Sequence, residues 1–393
     1  MTIDASRGET GSERIRLGMV GGGRGAFIGA VHRIAARLDD HYQLVAGALA
    51  SDPERARDSA ADLGIDPARA YGTFGEMAER EAVRHDGIEA VSIVTPNHMH
   101  APVATAFLKA GIHVICDKPL SVSVSEAEEL AALQKRTGRI FAVTHNYTGY
   151  PMVRQARAMV RDGSLGTIRL VQMEYAQDWL TDRLETTGQK QAEWRTDPTR
   201  SGAGGCIGDI GTHAYNLGAF VSGLETEALL ARLTTFVDGR RLDDDVQILL
   251  RYVGGAQGVL WASQVAVGNE NALKLRVFGT KGGLEWHQEN PNQLWFTRLG
   301  EPKQLLTRGG AGTSPESARM SRVPAGHPEG YLEGFANIYA EVAAAIRAAR
   351  SGSKPDPAVM FPGVSDGLSG MEFIRAAVQS SSAGNVWVGV SGA

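Results

Sequence analysis

Short apolar segments alternate with segments of helical periodicity through the first 146 residues, and this alternation limits the possible fold more than any other feature. The expected strands are Ile15–Val20, Tyr42–Leu49, Ala90–Val94, His113–Cys116 and Ile140–Thr144. The expected helices between them are Ala26–Leu38, Ala56–Leu63, Ala101–Ala110 and Ser125–Thr137. Strands that alternate with helices in this way form βαβ units around a parallel sheet. We therefore predict an α/β domain with a parallel sheet over residues 14–146.

The pattern changes after Asn146, where strand-like segments follow one another. The expected strands are Ile168–Tyr175, Leu229–Val237, Val246–Tyr252, Ala256–Gln264, Lys274–Phe278 and Gly283–Trp286. Glycine pairs at 254–255 and 282–283 predict turns between successive strands, as in an antiparallel sheet. Helices are expected at Met152–Arg161, Glu329–Ala349 and Gly367–Ser380, and a long loop over 308–328. Residues 147–393 are thus predicted to form an α+β domain with a mostly antiparallel sheet, whose C-terminal helix can pack back on the first domain.

The composition fits a globular two-domain protein and excludes several other classes. The chain has 393 residues, of which 43% are hydrophobic and 21% charged. Its 40 basic and 44 acidic residues give a net charge of −4, so nucleic acid and anionic membranes are not expected partners. Two cysteines, Cys116 and Cys206, exclude a disulfide scaffold, and we interpret them as small buried hydrophobes. Residues 1–13 are an expected polar tail and lack the apolar core of a signal peptide. No segment has the roughly 20 apolar residues that a membrane-spanning helix needs. These two observations predict a cytoplasmic protein.

A glycine-rich turn directly follows the first expected strand. Gly21 and Gly23 allow a tight turn and close approach of the backbone to a phosphate, and Ala26 stands where a third glycine is usual. The next helix would direct its N-terminal N–H groups at a pyrophosphate. We expect the cofactor-binding residues of this turn to be Gly21, Gly23, Arg24, Ala26, Phe27 and Ile28, with Gly29 serving helix–strand packing.

The end of the second strand normally selects between NAD and NADP, because an acid there pairs with the ribose hydroxyls. Here that position falls in the run Ala48-Leu49-Ala50-Ser51, and the first acid is Asp52. Asp52 is interpreted equally well as a helix cap or as a ribose contact. Ser51 and Arg55 could instead hold a 2′-phosphate, so NAD is the preferred prediction and NADP is not excluded.

Three further segments resemble those of the glucose–fructose oxidoreductase / inositol dehydrogenase / MocA (Gfo/Idh/MocA) family. Thr95-Pro96-Asn97-His98-Met99-His100 is similar to the family's T-P-N-x-x-H turn. Cys116-Asp117-Lys118-Pro119 is similar to its E-K-P motif, with Asp117 replacing Glu, and residues 204–213 are similar to its G-G-G-x-x-x-D-x-G-x-H segment. The resemblance implies a nicotinamide-binding Rossmann domain followed by a domain with a large open sheet. It also implies oxidation or reduction of a sugar or polyol carbon.

The resemblance and the chemistry together indicate the catalytic residues. Oxidation of a secondary alcohol needs a base for the hydroxyl proton and a positive group beside the developing alkoxide. Lys118 follows the fourth expected strand, where a parallel sheet places its ligands. Asp209 and His213 are four residues apart and would share one face of a helix that begins after Gly204-Gly205. We predict that Lys118, Asp209 and His213 are catalytic, although a helix-start Asp and a buried structural His are the plainer interpretation of the last two.

Other residues of these segments are expected to bind cofactor or substrate. The cofactor set near the nicotinamide is Thr95, Pro96, Asn97, His100, Asp117 and Lys118. The substrate set is Lys118, His145, Tyr147, Gln177, Trp194, Arg195, Asp209 and His213, because tryptophan stacks on sugar rings and arginine pairs with hydroxyls or an acid. His98 and His100 lack a carboxylate at ligand spacing, so no metal site is predicted.

Three functions remain open at this stage. The first is an NAD(P)-dependent dehydrogenase or reductase of a sugar, polyol or sugar derivative. The second is an NAD-dependent glycosidase that oxidises a ring carbon transiently and eliminates the aglycone, and the third is a non-catalytic sensor on the same fold. A homodimer or homotetramer is expected, because an open sheet would expose an apolar face that association can cover.

Overall fold

The computed structural model describes residues 14–390, so the predicted tail at 1–13 lies outside the described residues. These residues group into two compact units. The first unit contains residues 14–121, 125–149 and 331–368, and the second contains 122–124, 150–330 and 369–390. The predicted division at residue 146 differs from this grouping, because 331–368 belongs with the first unit.

Residues 14–390 form strands in two sheets. The first sheet contains β1 (Ile15–Gly21), β2 (Tyr42–Ala48), β3 (Ala90–Val94), β4 (His113–Cys116) and β5 (Phe141–Val143). The second contains β6 (Ile168–Ala176), β7 (Thr226–Thr234), β8 (Asp245–Tyr252), β9 (Gln257–Ser263), β10 (Ala272–Gly279), β11 (Gly282–His287), β12 (Gln293–Arg298), β13 (Gln304–Thr307) and β14 (Val388–Gly389).

The α-helices of the described residues are numbered in chain order. The first six are α1 (Phe27–Leu38), α2 (Pro53–Asp62), α3 (Phe74–Val83), α4 (His100–Lys109), α5 (Val124–Thr137) and α6 (Pro151–Arg161). The others are α7 (Lys190–Arg195), α8 (Pro198–Ser201), α9 (Thr212–Ser222), α10 (Pro315–Arg319), α11 (Tyr331–Arg350) and α12 (Val364–Ser382).

The sheet of the first unit is parallel throughout, in the order β2-β1-β3-β4-β5, which confirms the predicted Rossmann fold class. Every residue of β3 is buried, as expected for a strand covered by helices on both faces. Gly47 of β2 also forms an isolated parallel β-bridge with Ala70, at the side of β2 where a further strand would pair. The strand order reverses between β1 and β3, and a sheet of this kind binds its ligand at the carboxyl ends of the strands on either side of that point.

Helix α11 completes the core of the first unit. Its residues Phe335, Tyr339 and Val342 pack in one cluster with Val31 and Ala35 of α1. The chain therefore returns to the first unit with α11, and residues 364–368 at the start of α12 also belong to that unit. Burial of an apolar face on α1 explains the return, because without α11 that face would meet water.

A buried polar group lies inside this cluster. The Tyr339 hydroxyl is 2.9 Å from His32 Nδ1 and 2.9 Å from Ser92 Oγ, and Tyr42 donates to the Tyr339 carbonyl at 2.9 Å. Burial lowers the pKa of His32 to about 4, so the imidazole is neutral at physiological pH. These hydrogen bonds join residues of β2, β3, α1 and α11, and they pair polar atoms that would otherwise be buried without a partner.

The second unit is a nine-stranded sheet in the order β13-β12-β11-β10-β6-β9-β8-β7-β14. Only β6 and β9 pair in parallel among the strands of this described sheet; the other neighbours are antiparallel. The mostly antiparallel α+β prediction is thus confirmed. Side chains of β8 alternate between buried and exposed along the strand. One face of the sheet is therefore its core face, and the other is open.

Some local predictions were wrong. Gly282 and Gly283 begin β11 and pair with Arg298 and Thr297, so they do not form the expected turn. The strands β12 and β13 were missed because they are short and half of their residues are polar. Helix α10 lies inside the predicted 308–328 loop. Helix α3 was missed although Thr73 caps it by accepting from Glu76 N at 3.2 Å, the spacing of a capping box.

Candidate active site

The turn between β1 and α1 is held by two glycines that touch. A Cβ on Gly29 would lie 2.4 Å from the Gly22 oxygen, so the first turn of α1 can approach β1 only with glycine there. Gly21 and Gly22 have φ values of +79° and +73°, a conformation that side chains other than glycine rarely adopt. This geometry agrees with the packing role expected of Gly29.

The N-terminus of α1 is open to an anion. Ala26 is the N-cap, with extended backbone angles of −98° and 112°, and no side chain caps the helix. The first turn contains no acidic residue. Phe27 is 66% exposed at this end, whereas Ile28 packs against the core beneath. Uncapped N–H groups and the positive end of the helix dipole fit a pyrophosphate group.

Gly23 packs closely against the protein itself, and its predicted contact with the cofactor stays a prediction. Its N–H donates to the Leu49 carbonyl at 3.1 Å, and a Cβ there would lie 2.7 Å from that oxygen and from Ser59 Oγ. The next N–H, of Arg24, donates to Ser59 Oγ at 3.1 Å. Close packing against β2 and α2 therefore already requires a glycine at position 23, whatever approaches the turn from solvent.

Arg24 and Arg55, which lie near the expected position of a 2′-phosphate, form hydrogen bonds with other residues of the protein. Arg24 Nη1 donates to Asp58 at 2.9 Å and Nη2 donates to Asp62 at 2.8 Å, and the hydrogen bond from Arg24 lowers the pKa of Asp62. Arg55 donates to the Arg24 carbonyl at 2.7 Å. These contacts leave less positive charge for a 2′-phosphate than the sequence suggested.

Asp52 is a helix cap. Its carboxylate accepts from the N–H of Arg55 at 2.7 Å at the start of α2. Ser51 beside it is exposed. Of the two interpretations left open by the sequence, the structure therefore supports the cap.

His100 joins the turns that follow β3 and β4. Its Nδ1 lies 2.7 Å from the Pro119 carbonyl and its Nε2 lies 3.0 Å from the Thr95 carbonyl. The ring is 1% exposed, and burial lowers its pKa. His100 thus fixes the Thr95-Pro96-Asn97 turn against the Lys118-Pro119 turn. Both ring nitrogens face backbone carbonyls, and the neutral ring can donate to one of them. Cofactor binding by His100 stays a prediction.

The residues around Lys118 are polar and closely held. Asp117 Oδ1 accepts from the Lys118 N–H and from Thr144 Oγ1, each at 2.9 Å, which joins the ends of β4 and β5. His145 is 2% exposed, and its burial, together with the charge of Lys118, lowers its pKa to about 3. His145 is therefore neutral beside the lysine and can act as a hydrogen-bonding group rather than as a cation.

Asn146 and Tyr147 form the short helical turn after β5. Asn146 is 1% exposed, and its Nδ2 has no hydrogen-bond partner within the described residues. A buried donor without an acceptor costs free energy, which a ligand oxygen could recover. Tyr147 is 3% exposed, so only a small part of the predicted ligand residue reaches solvent.

In the second unit, Asp243 anchors the segment that carries Asp209 and His213. Its carboxylate accepts from Gly205 N at 2.7 Å and from Ile207 N at 2.8 Å. A Cβ on Gly205 would lie 2.3 Å from the Asp243 carbonyl oxygen. The expected helix does begin after these glycines, but Ile207–Gly211 is a turn of π-helix that leads into α9.

Two side chains of its own unit contact Asp209. Gln264 Nε2 donates to Asp209 Oδ2 at 2.9 Å, and Arg195 Nε forms an ion pair with the same oxygen at 3.2 Å. The guanidinium of Arg195 also lies over the ring of Trp194, 4.3 Å from its centroid. Sequence reasoning missed Gln264, which directly follows β9.

His213 and Gln177 both lie near β6. The His213 ring is 8% exposed and packs edge-on to Tyr175 of β6, with ring centroids 6.3 Å apart. Gln177 directly follows β6, and its Nε2 donates to Asn271 Oδ1 at 2.7 Å, an atom that also accepts from the Tyr175 hydroxyl at 2.7 Å. Tyr175 and Asn271 were not predicted.

Residues 14–390 contain no group of three side chains that could hold a metal ion. Cys116 and Cys206 are free and fully buried, as predicted, and burial raises the pKa of both thiols. No helix in this part of the chain is both long and apolar enough to cross a membrane.

Comparison with known proteins identifies the family. A model described as an oxidoreductase family with an NAD-binding Rossmann fold matches residues 15–145, and a Gfo/Idh/MocA C-terminal domain model matches 153–285. An uncharacterized oxidoreductase of Bacillus subtilis is 37% identical over 96% of this chain and 97% of its own length. The chain belongs to the Gfo/Idh/MocA family. It is an NAD-binding oxidoreductase, which confirms the resemblance drawn from its motifs and the NAD prediction.

Solved structures of other family members are similar over almost the whole chain. An oxidoreductase from Sinorhizobium meliloti is 58% identical, with a TM-score of 0.88, over 96% of this chain and 100% of that one. An inositol dehydrogenase homolog from Azotobacter vinelandii, complexed with NADH and myo-inositol, is 39% identical, with a TM-score of 0.90 over 96% and 98%.

The open N-terminus of α1 gives a first prediction. Ala26→Asp places a capping carboxylate where the pyrophosphate is expected, so it should stabilise the unliganded protein by about 1 kcal/mol. NAD affinity should fall by about tenfold or more, because the carboxylate occupies the N–H groups and repels phosphate. Calorimetric titration and urea unfolding measure the two effects. Ala26→Ser, which caps without charge, is the matched control and should lose less affinity; unchanged affinity in Ala26→Asp would show that the cofactor binds elsewhere.

The Asp243 anchor gives a second prediction. Burial raises the pKa of Asp243 to about 6, in spite of its two backbone hydrogen bonds, so the folded state holds this proton more tightly than the unfolded state. Stability from this group is then fully present below about pH 4 and is lost as pH rises through 6. The free energy of unfolding of the parent, minus that of Asp243→Asn, should therefore fall between pH 4 and pH 7. A difference that rises over this interval would show that the hydrogen bonds dominate burial.

Proposed function

We propose that this protein is an NAD-dependent dehydrogenase that oxidises a secondary alcohol of a cyclic polyol or sugar. The observation that carries the proposal is the cluster around Lys118, where Asp117 is fixed from two sides and a neutral His145 lies beside the lysine. Fixed hydrogen-bonding groups beside an ammonium suit a neutral polyhydroxylated ligand. The family relation to an inositol dehydrogenase homolog that binds NADH and myo-inositol supports this substrate class.

NAD, when bound, would accept the hydride from the substrate carbon. The turn at 21–26 and the N-terminus of α1 would hold its pyrophosphate, with the 95–97 turn beside β1 holding the nicotinamide end. Gly21 lies directly against β3, since a Cβ there would be 2.8 Å from the Val94 oxygen. These two turns thus border the point where the strand order reverses.

The protein's own residues would handle the proton. Lys118 Nζ would donate a hydrogen bond to the substrate oxygen and stabilise the alkoxide that develops on it. The His213 imidazole would accept the hydroxyl proton, and Asp209 would stabilise the imidazolium that results. His145 and Asn146 Nδ2 would bind further hydroxyl groups. Of the predicted substrate residues, Tyr147, Gln177 and Trp194 keep that role in the proposal.

The same residues would also serve a redox-assisted glycosidase, and a sensor would need none of their chemistry. No observation favours either alternative over the dehydrogenase. Incubation with NAD and a panel of inositols, monosaccharides and glycosides distinguishes the three. NADH formed in proportion to substrate supports the dehydrogenase, aglycone release without net NADH supports the glycosidase, and binding without either supports the sensor.

The catalytic roles can be tested by substitution. Lys118→Ala and His213→Ala should each lower kcat by about 10²–10⁴-fold, the usual range for a general acid or base. NAD affinity should change little in His213→Ala, and the double variant should lose less than the product of the single losses. The pH–rate profile of His213→Ala should lack one limb of the parent profile. Full kcat in His213→Ala would show that the histidine is structural.

The open face of the second sheet supports the proposal of a homodimer or homotetramer. Leu249 and Val259 face each other across β8 and β9, and Leu170 faces Phe278 across β6 and β10. All four are exposed, between 36% and 48%. Apolar patches of this kind mark association surfaces.

We expect sedimentation velocity to show a dimer or tetramer of the 41.9 kDa chain at micromolar concentration. Leu249→Glu with Val259→Arg on the open face should shift the protein to monomer. Val83→Glu, at a residue of α3 that is 85% exposed, is the control and should not change the mass. A monomeric parent would contradict the proposal.

A further inference from the structure

One oxygen of the Asp209 carboxylate, Oδ2, contacts two side chains of the second unit. Gln264 Nε2 and Arg195 Nε both reach Oδ2, at 2.9 Å and 3.2 Å. The Asp209 side chain is 15% exposed and that of Arg195 is 23% exposed, so the pair is largely removed from water. The hydrogen bond from Gln264 and the charge of Arg195 both act on Oδ2 and favour one rotamer of the carboxylate.

The two side chains that contact Asp209 are themselves held in place. Gln264 is 2% exposed, its N–H donates to the Asp244 carbonyl at 2.8 Å, and its carbonyl accepts from Leu180 N at 3.1 Å. Its position just after β9 therefore leaves the side chain with little freedom. A glutamine supplies a neutral donor here, where a second carboxylate would repel Asp209.

Arg195 ends helix α7 and is bound on several sides. Its Nη1 donates to the Gln191 carbonyl at 3.3 Å and to the Gln191 side-chain oxygen. Its guanidinium covers the half-buried Trp194 ring. A guanidinium stacked in this way loses little further freedom when it pairs with a carboxylate, since its plane is already set.

We propose that Arg195 and Gln264 are positioning residues that act on catalysis through Asp209, and that Arg195 is not a ligand of the substrate. The inference rests on the proposed function, which gives Asp209 its role beside His213. Arg195 compensates the partly buried negative charge, and Gln264 selects the rotamer. A planar guanidinium is needed because Nε forms the ion pair while Nη1 binds Gln191, a division of donors that lysine cannot reproduce.

A double-mutant cycle with Asp209→Asn tests the proposal. Arg195→Met, which keeps most of the side-chain volume, should lower kcat by about tenfold or more in the parent, with little change in KM for the polyol. In the Asp209→Asn background the same substitution should change kcat by no more than about twofold, because the partner charge is gone. Gln264→Glu should behave like Arg195→Met. The control is Arg241→Met, which breaks the exposed Arg241–Asp197 pair and should leave both parameters unchanged.

Chemical rescue separates positioning from a general effect on the fold. Added guanidinium ion should restore part of the kcat of Arg195→Ala but should not restore that of the Arg195→Ala/Asp209→Asn variant. If Arg195 binds the substrate instead, its loss would raise KM by the same factor in both backgrounds. That result would overturn the proposal.

A structural measurement covers the case in which the parent oxidises none of the substrates in the panel, which would reject the proposed function. Crystal structures of the parent and of Gln264→Leu should then show Asp209 Oδ2 on Gln264 in the parent and a rotated carboxylate in the variant. An unmoved carboxylate would reject the positioning role independently of any activity.

Discussion

Parallel strands place the residues that follow them at one edge of a sheet, and both sheets of this protein depend on that constraint. In the first unit it brings together the glycine turn after β1, the 95–97 turn after β3, Asp117-Lys118 after β4 and His145 after β5. In the second unit the one parallel pair among the described strands, β6 with β9, puts Gln177 and Gln264 side by side, and Gln177 N donates to the Ser263 carbonyl at 2.8 Å. These polar residues of the candidate site thus follow strands, where side chains are not needed for the core, whereas Asp209 and His213 lie on the π-helical turn and on α9.

Most charged residues near these edges are bound by the protein before any ligand arrives. Arg24 pairs with Asp58 and Asp62, Asp243 accepts two backbone N–H groups, and Arg195 pairs with Asp209. A buried or half-buried charge needs a partner, because its desolvation is costly. A prediction from residue type alone therefore assigned too many arginines to the binding of phosphate or sugar. It also understated how firmly the acidic residues are held.

Sequence reasoning succeeded for the fold where local signals were strong. The β1–α1 turn, the strand ends at Thr95 and Lys118, and the helix after Gly204-Gly205 follow from apolar periodicity, glycine and proline, which act over a few residues. It failed for β12 and β13, whose short, half-polar sequences carry weak signals, and for the place of α11, which depends on burial against α1. Gln264 could have been found only by predicting that β9 runs parallel to β6, since that pairing joins segments about ninety residues apart.

The sequence by itself indicated the alternation of strands and helices in the first unit, the glycine turn after β1 and the family. These are set by local backbone preferences and by motifs of a few residues. The tertiary structure alone decided which partner each polar group takes: Asp52 caps α2, His100 joins two turns, and Asp209 contacts Arg195 and Gln264. Hydrogen bonds and ion pairs act within about 3–4 Å, and only the folded chain brings residues that are distant in sequence to that distance.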